Sequence, residues 1–249
     1  MTTSLTVVPD PIFDDPRLAR IYDPCDPDRG DLTAYDAIVD ELGARTVLDV
    51  GCGTGTFAVL LAARGIEVVG VDPAGASLDV ARAKRGAERV CWQHGDATTL
   101  PPLQVDLATM TGNVAQVFVT DDDWRATLTG VRAALRPGGH LVFESRVPAR
   151  RAWEAWVPEA TRSQVEIEGV GGVESWCELV EVAVPLVTFR WTYVFEADGA
   201  VLTSESTLRF RDRDEVERSL VAAGYVVEDV RDAPDRPGLE HVFIARAPR

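Results

Sequence analysis

The sequence predicts a doubly wound α/β fold: a mostly parallel, seven-stranded sheet with an antiparallel β insertion after its fifth strand. Two observations support this prediction. Over residues 46–144, short apolar segments with strand character alternate with amphipathic helical segments, a pattern typical of parallel sheets covered on both faces. The period changes after Pro148, and from residue 164 it shows the alternation of half-buried strands, before a last helix and two more strands close the pattern.

Local sequence justifies each element of the main sheet. Glycine follows four of the predicted helices, at positions 43, 65, 86 and 224, where a left-handed residue ends a helix without strain. Asp212, with Glu215 three residues later, resembles a capping box that starts the last helix. The expected strands cover residues 46–50, 67–71, 89–93, 105–110, 140–144, 225–230 and 240–245, and the expected helices cover 32–42, 56–64, 74–85, 122–135 and 212–223. Residues 1–30, rich in Pro and Asp, are expected to form an irregular lead-in.

The insertion is predicted from four alternating segments, at residues 164–167, 173–184, 187–196 and 201–211. Asp198-Gly199, between the last two, is a strong hairpin signal. A structureless loop of roughly sixty residues is improbable in a compact domain. We therefore expect residues 1–146 and 206–249 to form the main domain and residues 147–205 to form an inserted antiparallel cap.

The composition argues against two classes of partner. The chain has 249 residues, of which 40 are acidic and 25 basic, for a net charge of −15. Binding to nucleic acid or to an anionic membrane needs concentrated positive charge, so neither is expected. The four cysteines have no metal-ligand or redox spacing, and no apolar run suits a signal peptide or a membrane span. A reducing, cytoplasmic location and no metal site are therefore expected.

The most informative segment is Asp49-x-Gly51-x-Gly53-x-Gly55, between a predicted strand and a predicted helix. Glycines at such a turn remove side chains where a ligand lies against the backbone, so a nucleotide-like cofactor is expected there. The dinucleotide fingerprint G-x-G-x-x-G would need its third glycine at position 56, which is Thr56. A pyrophosphate is therefore not the favoured ligand.

Together with later residues, this turn resembles motif I of the class I S-adenosylmethionine-dependent methyltransferases. Asp72 ends the second strand and Asp96-Ala97 follows the third. Residues 135–139 resemble the family's turn before its fifth strand, and residues 19–23 resemble its N-terminal cofactor-capping element. The resemblance covers about residues 17–146 and 206–246. It implies a Rossmann-like methyltransferase fold with S-adenosylmethionine as the cofactor.

The resemblance also implies roles for single residues. Asp72 would accept hydrogen bonds from the ribose hydroxyls, Asp96 would accept one from the adenine amine, and Tyr22 would meet the methionine carboxylate. Asp49 would either touch the cofactor or only organise the amides of the glycine turn. The residues expected at the cofactor are Tyr22, Asp49, Gly51, Cys52, Gly53, Gly55, Asp72, Pro73, Asp96, Ala97, Thr111 and Gly112.

Methyl transfer needs a general base only when the acceptor must lose a proton, so the sequence assigns no catalytic residue. Three candidates stand near the expected site. His94 precedes the Asp96 turn, and Glu144 and Arg146 stand at the carboxyl end of the fifth strand, where open α/β sheets bind their ligands. Each also has a structural interpretation: a pocket wall or surface position for His94, and a solvated strand end for the other two.

The segment after the fourth strand lacks the N-P-P-Y-like sequence that methylases of DNA bases and protein glutamines commonly carry, which favours a small-molecule acceptor. Asn113 and Gln116 in this segment are candidates for orienting it. Arg146, Arg150 and Arg151 are expected either to hold an acidic acceptor or to form a solvated helix start. The aromatic residues of the insertion are expected to wall the acceptor site or to form a core or dimer surface: Trp153, Trp156, Trp176, Phe189, Trp191, Tyr193 and Phe195.

The sequence therefore predicts an enzyme that transfers a methyl group from S-adenosylmethionine to a small-molecule acceptor by in-line displacement. Two alternatives stay open: a non-catalytic, methyltransferase-like interaction or regulatory subunit and, less favoured, an NAD(P)-dependent oxidoreductase. The complete set of cofactor carboxylates favours the enzyme over the first alternative, and Thr56 counts against the second. The acceptor, its methylated atom and the oligomeric state stay open, with a homodimer through the insertion as one option.

Overall fold

The computed structural model describes residues 8–248. Within them the strands are, in chain order, β1 (Thr46–Val50), β2 (Glu67–Asp72), β3 (Val90–His94), β4 (Val105–Met110), β5 (Leu135–Arg146), β6 (Ser163–Ile167), β7 (Gly171–Ala183), β8 (Leu186–Phe195), β9 (Val201–Arg209), β10 (Val226–Asp232) and β11 (Glu240–Arg246). The α-helices are α1 (Pro11–Asp14), α2 (Pro16–Cys25), α3 (Leu32–Glu41), α4 (Thr56–Ala63), α5 (Gly75–Ala83), α6 (Asp121–Ala134), α7 (Pro158–Thr161) and α8 (Arg213–Ala222). None of the helices in this part of the chain has the length and apolar character needed to cross a membrane.

Seven of the described strands form one sheet in the order β10-β11-β5-β4-β1-β2-β3. β1 pairs in parallel with both β2 and β4, whereas β11 pairs antiparallel with both β5 and β10. The order of strands along the chain reverses at β1 and β4, and such sheets bind their ligands in the crevice outside the carboxyl ends at that point. The predicted fold class is confirmed.

Helices cover both faces of this sheet, as its nearly continuous apolar strands require. Val47 and Leu48 are adjacent in β1 and fully buried, and they belong to clusters on opposite faces. The Leu48 cluster includes Trp124 of α6 and Leu220 of α8, and the Val47 cluster includes Leu61 of α4. This double packing fixes the carboxyl ends of the central strands.

The expectation of an irregular lead-in is wrong for the part that the structure describes, because α1 and α2 lie there; residues 1–7 lie outside the described residues. The Asp15 carboxylate accepts hydrogen bonds from the amides of Arg17 (2.8 Å) and Leu18 (3.1 Å). Pro16 follows at the first helical position, and this pair makes a favourable helix start. Leu18 and Ile21 are buried against the inserted sheet, which stabilises a helix too short to be stable alone.

The insertion forms a four-stranded antiparallel sheet in the order β6-β7-β8-β9. Its aromatic face is mainly a core: Phe195 is fully buried and Tyr193 is nearly so, in one cluster with the apolar side chains of α1 and α2. At the other end of β8, the Phe189 ring packs against Trp156 with centroids 4.7 Å apart. Of the two interpretations of these aromatic residues, the structure supports packing.

The boundary predicted between residues 205 and 206 falls inside β9, because that strand continues to Arg209. The inserted sheet therefore includes residues up to 209, and the N-terminal helices pack on it although they were assigned to the main domain. The division of the chain into two domains otherwise stays a prediction. The homodimer through the inserted sheet also stays a prediction.

Candidate active site

A cleft of about 560 Å³ opens at the carboxyl ends of β1, β2 and β4, within the usual range for small-molecule sites. Its wall includes eleven of the residues predicted at the cofactor: Tyr22, Asp49, Gly51, Cys52, Gly53, Asp72, Pro73, Asp96, Ala97, Thr111 and Gly112. Gly55 is not in the wall. A Cβ atom at Gly55 would lie 2.4 Å from the Trp92 ring, so this glycine allows α4 to approach β3 instead. The contacts of all twelve with a cofactor stay predictions.

The glycine turn after β1 forms a cradle for a ligand. Gly53 has a left-handed φ of +52°, and a Cβ atom there would meet no atom of the described residues within 4 Å. Gly112, across the cleft after β4, shows the same two features with a φ of +76°. Side chains at these two positions would therefore project into open space beside the cleft, where a cofactor would lie. The backbone thus fits the group that the sequence motif implies.

Asp72, at the end of β2, holds this turn in place. One carboxylate oxygen accepts the Gly53 N–H at 2.8 Å, and the other accepts the Ala74 N–H at 2.8 Å. Burial raises the pKa of Asp72, and these two hydrogen bonds oppose the rise. Each oxygen keeps a further lone pair for a ligand hydroxyl. Asp72 is therefore suited both to order the turn and to bind a ribose.

Asp49 is 1% exposed, and its carboxylate accepts a hydrogen bond from the Thr109 hydroxyl at 3.0 Å. The structure shows no hydrogen bond from the amides of the glycine turn to this carboxylate within the described residues. Burial raises the pKa of Asp49 to about 7, and the nearby Asp72 charge adds to the rise. A positively charged ligand in the cleft would favour the ionised form of this carboxylate.

Asp96 and Ala97 form the wall of the cleft beyond β3. One Asp96 oxygen accepts hydrogen bonds from the Thr98 amide (2.8 Å) and hydroxyl (2.6 Å), which orders the turn. Ala97 is 3% exposed and lies against α6. The other Asp96 oxygen has no hydrogen-bond partner among the described residues, so it is free to accept a donor from a ligand.

α2 is anchored over the glycine turn by Asp23, whose partners Thr54 and Lys84 the sequence did not single out. One Asp23 oxygen accepts the Thr54 hydroxyl at 2.6 Å, and the other pairs with Lys84 Nζ at 2.6 Å. This anchor holds Tyr22 in the wall of the cleft, with its ring centroid 5.6 Å from that of Phe13. The resemblance of residues 19–23 to a capping element indicated this position of α2, and the Asp15-Pro16 pair is a further sequence signal for the start of the helix.

Two of the catalytic candidates are committed to other contacts. His94 lies outside the wall of the cleft, and its Nε2 is 2.9 Å from the Pro73 carbonyl oxygen, to which it donates. Arg146 lines the cleft, but its Nη1 donates to Gln116 Oε1 at 2.9 Å and its Nε lies 3.7 Å from Glu240. Burial lowers the pKa of Arg146 without making it a base at neutral pH.

Glu144 is buried behind the cleft rather than in its wall. It lines a small neighbouring cavity of about 30 Å³, where it accepts hydrogen bonds from the Tyr35 hydroxyl and the Asn113 amide. Burial raises the pKa of Glu144 to about 7. The interpretation of Glu144 as a solvated strand end is wrong, because β5 is buried on both faces up to this residue.

Residues 47–139, which contain the glycine turn, Asp72 and Asp96, match the family model described as a methyltransferase domain. The chain contains a class I S-adenosylmethionine-dependent methyltransferase domain. The family recognised from the sequence motifs is confirmed, and so is its cofactor, S-adenosylmethionine.

Individual relatives agree with this domain assignment. A cypemycin N-terminal methyltransferase from Streptomyces sp is 35% identical over 119 residues, which are 47% of this chain and 49% of that protein. A ubiquinone biosynthesis O-methyltransferase from Idiomarina loihiensis is 32% identical over 137 residues, 49% of this chain and 55% of that protein. The chain thus spans about half the length of these curated relatives.

The methyltransferase fold extends beyond the matched region. A crystal structure of an S-adenosylmethionine-dependent methyltransferase from Clostridium acetobutylicum superposes with a TM-score of 0.74 over 94% of this chain and 98% of that one, at 17% identity. At this identity the likeness shows the fold alone. It includes the inserted sheet in the shared architecture, since only a small part of either chain is left out.

Proposed function

We propose that the protein transfers the methyl group of S-adenosylmethionine to a small-molecule acceptor. The observation that supports this most strongly is a single cleft that combines the glycine cradle, the carboxylates of Asp49, Asp72 and Asp96, and further space beyond them. Phe13 and residues 117–119 also line this cleft. An interaction subunit would need neither the open cradle nor a cleft of this volume.

Each residue of the cleft has its own part in the proposed reaction. When bound, S-adenosylmethionine supplies an electrophilic methyl group for in-line displacement by the acceptor. Gly53 and Gly112 leave room for the cofactor against the backbone, Asp72 and Asp96 accept its hydroxyl and amine donors, and Tyr22 covers it from α2. The apolar part of the wall, which includes Phe13 and Phe118, helps to exclude water. Positioning of the reactants accounts for about 7–11 kcal/mol of the barrier in well-oriented reactions.

The proposal assigns no general base. Glu144 is separated from the cleft by the Asn113 backbone, and His94 and Arg146 already have partners. The reaction then suits an acceptor that reacts as a free nucleophile or loses its proton to solvent.

Isothermal titration calorimetry with S-adenosylhomocysteine and, separately, with NAD tests the proposal. We expect S-adenosylhomocysteine to bind with one-to-one stoichiometry and NAD to give no heat of binding. Binding of NAD alone would indicate an oxidoreductase. Binding of neither compound would favour the non-catalytic alternative.

A further inference from the structure

The wall of the cleft has an excess of negative charge. Its charged residues are Asp10, Asp26, Asp28, Asp31, Asp49, Asp72, Asp96 and Glu205 against Arg29, Arg146 and Arg236. The excess matters for the acceptor only if the arginines are already neutralised, because an unpaired guanidinium would attract an anion.

All three arginines have carboxylate partners within the described residues. Arg29 makes a two-pronged contact with Asp31, at 3.1 and 3.0 Å. Arg236 donates to Glu240 at 2.9 Å, and Arg146 lies 3.7 Å from the same carboxylate. The expectation that Arg146 holds an acidic acceptor is therefore not supported.

Arg150 and Arg151, the other members of that cluster, are engaged too. Arg150 Nε donates to the Gly238 carbonyl at 2.9 Å, and Arg151 pairs with Glu154 at 2.9 Å. Neither residue lines the cleft. No unpaired cation in this wall would compensate an anionic acceptor.

Among the acidic residues of the cleft wall, Asp10 differs from the others in the element that carries it. Asp49, Asp72 and Asp96 belong to the strand-end side, where the cofactor is expected, and Glu205 pairs with Arg190 at 2.8 Å. Asp10 also lines the cleft but comes from another part of the chain, at the start of α1. It occupies the N-cap position of that helix, yet its side chain makes no capping hydrogen bond. The Ser206 hydroxyl of β9 interacts with this carboxylate, and the carboxylate keeps further lone pairs for a ligand.

The position of Asp10 is fixed by its neighbours. The Ile12 amide donates to Ser204 Oγ at 2.9 Å, and Ser77 Oγ donates to the Phe13 carbonyl at 2.7 Å, so α1 is tied to both β9 and α5. Burial raises the pKa of Asp10, and the Ser206 hydroxyl opposes the rise. A carboxylate held in this way gains from a neighbouring positive charge.

A second observation points to a hydrogen-bond donor in the ligand. Asn113 is 5% exposed and lies in the wall of the same cleft, and its Nδ2 donates to Glu240 at 3.2 Å. Its Oδ1 is buried without a hydrogen-bond partner among the described residues. A buried carbonyl oxygen without a donor is costly, so a ligand that brings an N–H group would stabilise this wall.

We propose that the acceptor is an amine with an apolar body, bound as its ammonium ion by the Asp10 carboxylate. Its nitrogen loses a proton to solvent before it attacks the methyl group, and S-adenosylhomocysteine leaves with the electron pair of the broken carbon–sulfur bond. The apolar body would lie against Phe13, Phe118 and the valines of the same wall. This inference rests on the proposed methyl transfer.

Binding of matched probes to the protein saturated with S-adenosylhomocysteine tests the inference. Calorimetry at pH 7.5 would compare amines with the alcohols of the same benzyl, cyclohexyl and phenylpropyl scaffolds, and with benzoate as an anion. We expect each amine to bind at least about tenfold more tightly than its alcohol, the effect of one charge-assisted hydrogen bond, and benzoate to bind most weakly. In Asp10→Asn this preference should disappear.

Asp14→Asn is the matched control, because it removes the same charge from the same helix at an exposed position outside the wall of the cleft. It should keep the preference for amines. Thermal unfolding verifies that both variants fold. Equal binding of amines and alcohols, no binding of any probe, or an unchanged preference in Asp10→Asn would overturn the inference. Failure of S-adenosylhomocysteine to bind the wild-type protein would instead overturn the proposed methyl transfer.

Discussion

At the residue scale, the Asp72 side chain holds the local backbone in place and is also expected to bind the cofactor. Its two oxygens accept the amides of Gly53 and Ala74, one on the cofactor turn and one at the start of α5. The same carboxylate is the expected partner of the ribose. A change at this residue therefore affects the shape of the site as well as its contacts.

We predict that Asp72→Asn lowers the affinity for S-adenosylhomocysteine by roughly 10- to 150-fold, the loss expected when a charge-assisted hydrogen bond of about 1.5–3 kcal/mol is removed. The amide also presents an N–H group to one of the two backbone donors, which weakens the turn. Calorimetry measures the effect. Asp79→Asn, on the next helix and with its side chain 80% exposed, is the control and should bind normally. Normal binding by Asp72→Asn would show that this residue only caps the turn.

At the element scale, the loop after β4 is shaped by a residue far away in the sequence. Arg211 is 4% exposed, and its Nη2 donates to the Phe118 carbonyl at 2.6 Å. Burial lowers the pKa of Arg211 to about 10, so the guanidinium stays charged at neutral pH. The segment that follows the last strand of the inserted sheet thus holds one wall of the cleft in place through Arg211. An arginine just after a strand gave no sequence signal of this role.

The packing of α6 against the cofactor side of the cleft depends on a glycine. A Cβ atom at Gly130 would lie 2.0 Å from the Ala97 carbonyl oxygen, which is a backbone clash. Glycine to alanine in a helix interior usually stabilises by about 1 kcal/mol. Here we predict the opposite sign for Gly130→Ala, a destabilisation of about 1–3 kcal/mol as in overpacked cores, with weaker cofactor binding because Ala97 must move.

Urea unfolding and calorimetry with S-adenosylhomocysteine measure the two parts of this prediction. Ala126→Gly, at an exposed position of the same helix, is the control for helix propensity and should cost about 1 kcal/mol without changing cofactor binding. If Gly130→Ala were more stable than the wild type, α6 would not approach the Ala97 turn as closely as the structure shows.

At the scale of the whole molecule, the elements of the main sheet could be predicted because their signals are local. β1 and β4 match the expected bounds, and the glycine stops after α3 and α4 agree with the structure. The positions of Asp49, Asp72 and Asp96 beside one cleft followed from their places at strand ends, since parallel strands bring those ends together.

The features that could not be predicted depend on contacts between distant parts of the chain. α1 and α2 are short, and their apolar side chains are buried only because Ile12 and Leu18 meet Ile167 and Phe195 of the inserted sheet. A strand pattern places Glu144 near the carboxyl end of β5 but does not show which neighbours cover it. The charge pairing of Arg146 likewise depends on Glu240 of β11, ninety-four positions later in the chain.

Glu144 joins elements from across the molecule. Its carboxylate accepts the Tyr35 hydroxyl of α3 and the Asn113 amide after β4, and the Asn113 side chain reaches Glu240 of β11. Because burial raises the pKa of Glu144 from its ordinary 4.5 to about 7, the folded protein holds a proton between these two pH values that the unfolded chain has lost. Its stabilising contribution is therefore complete below pH 4.5 and is lost as the pH rises to about 7.

Glu144→Gln cannot titrate, so we predict that its free energy of unfolding rises relative to the wild type by about 3 kcal/mol between pH 4.5 and 8, the value of a pKa difference of this size. Asp49 titrates in the same direction but is present in both proteins, so its contribution cancels. Urea unfolding at several pH values gives the difference curve directly. Glu154→Gln, whose side chain is 58% exposed, should give a flat difference curve. A flat curve for Glu144→Gln as well would mean that water or a conformational change solvates this carboxylate, and that the link between α3, β5 and the loop after β4 does not depend on its protonation.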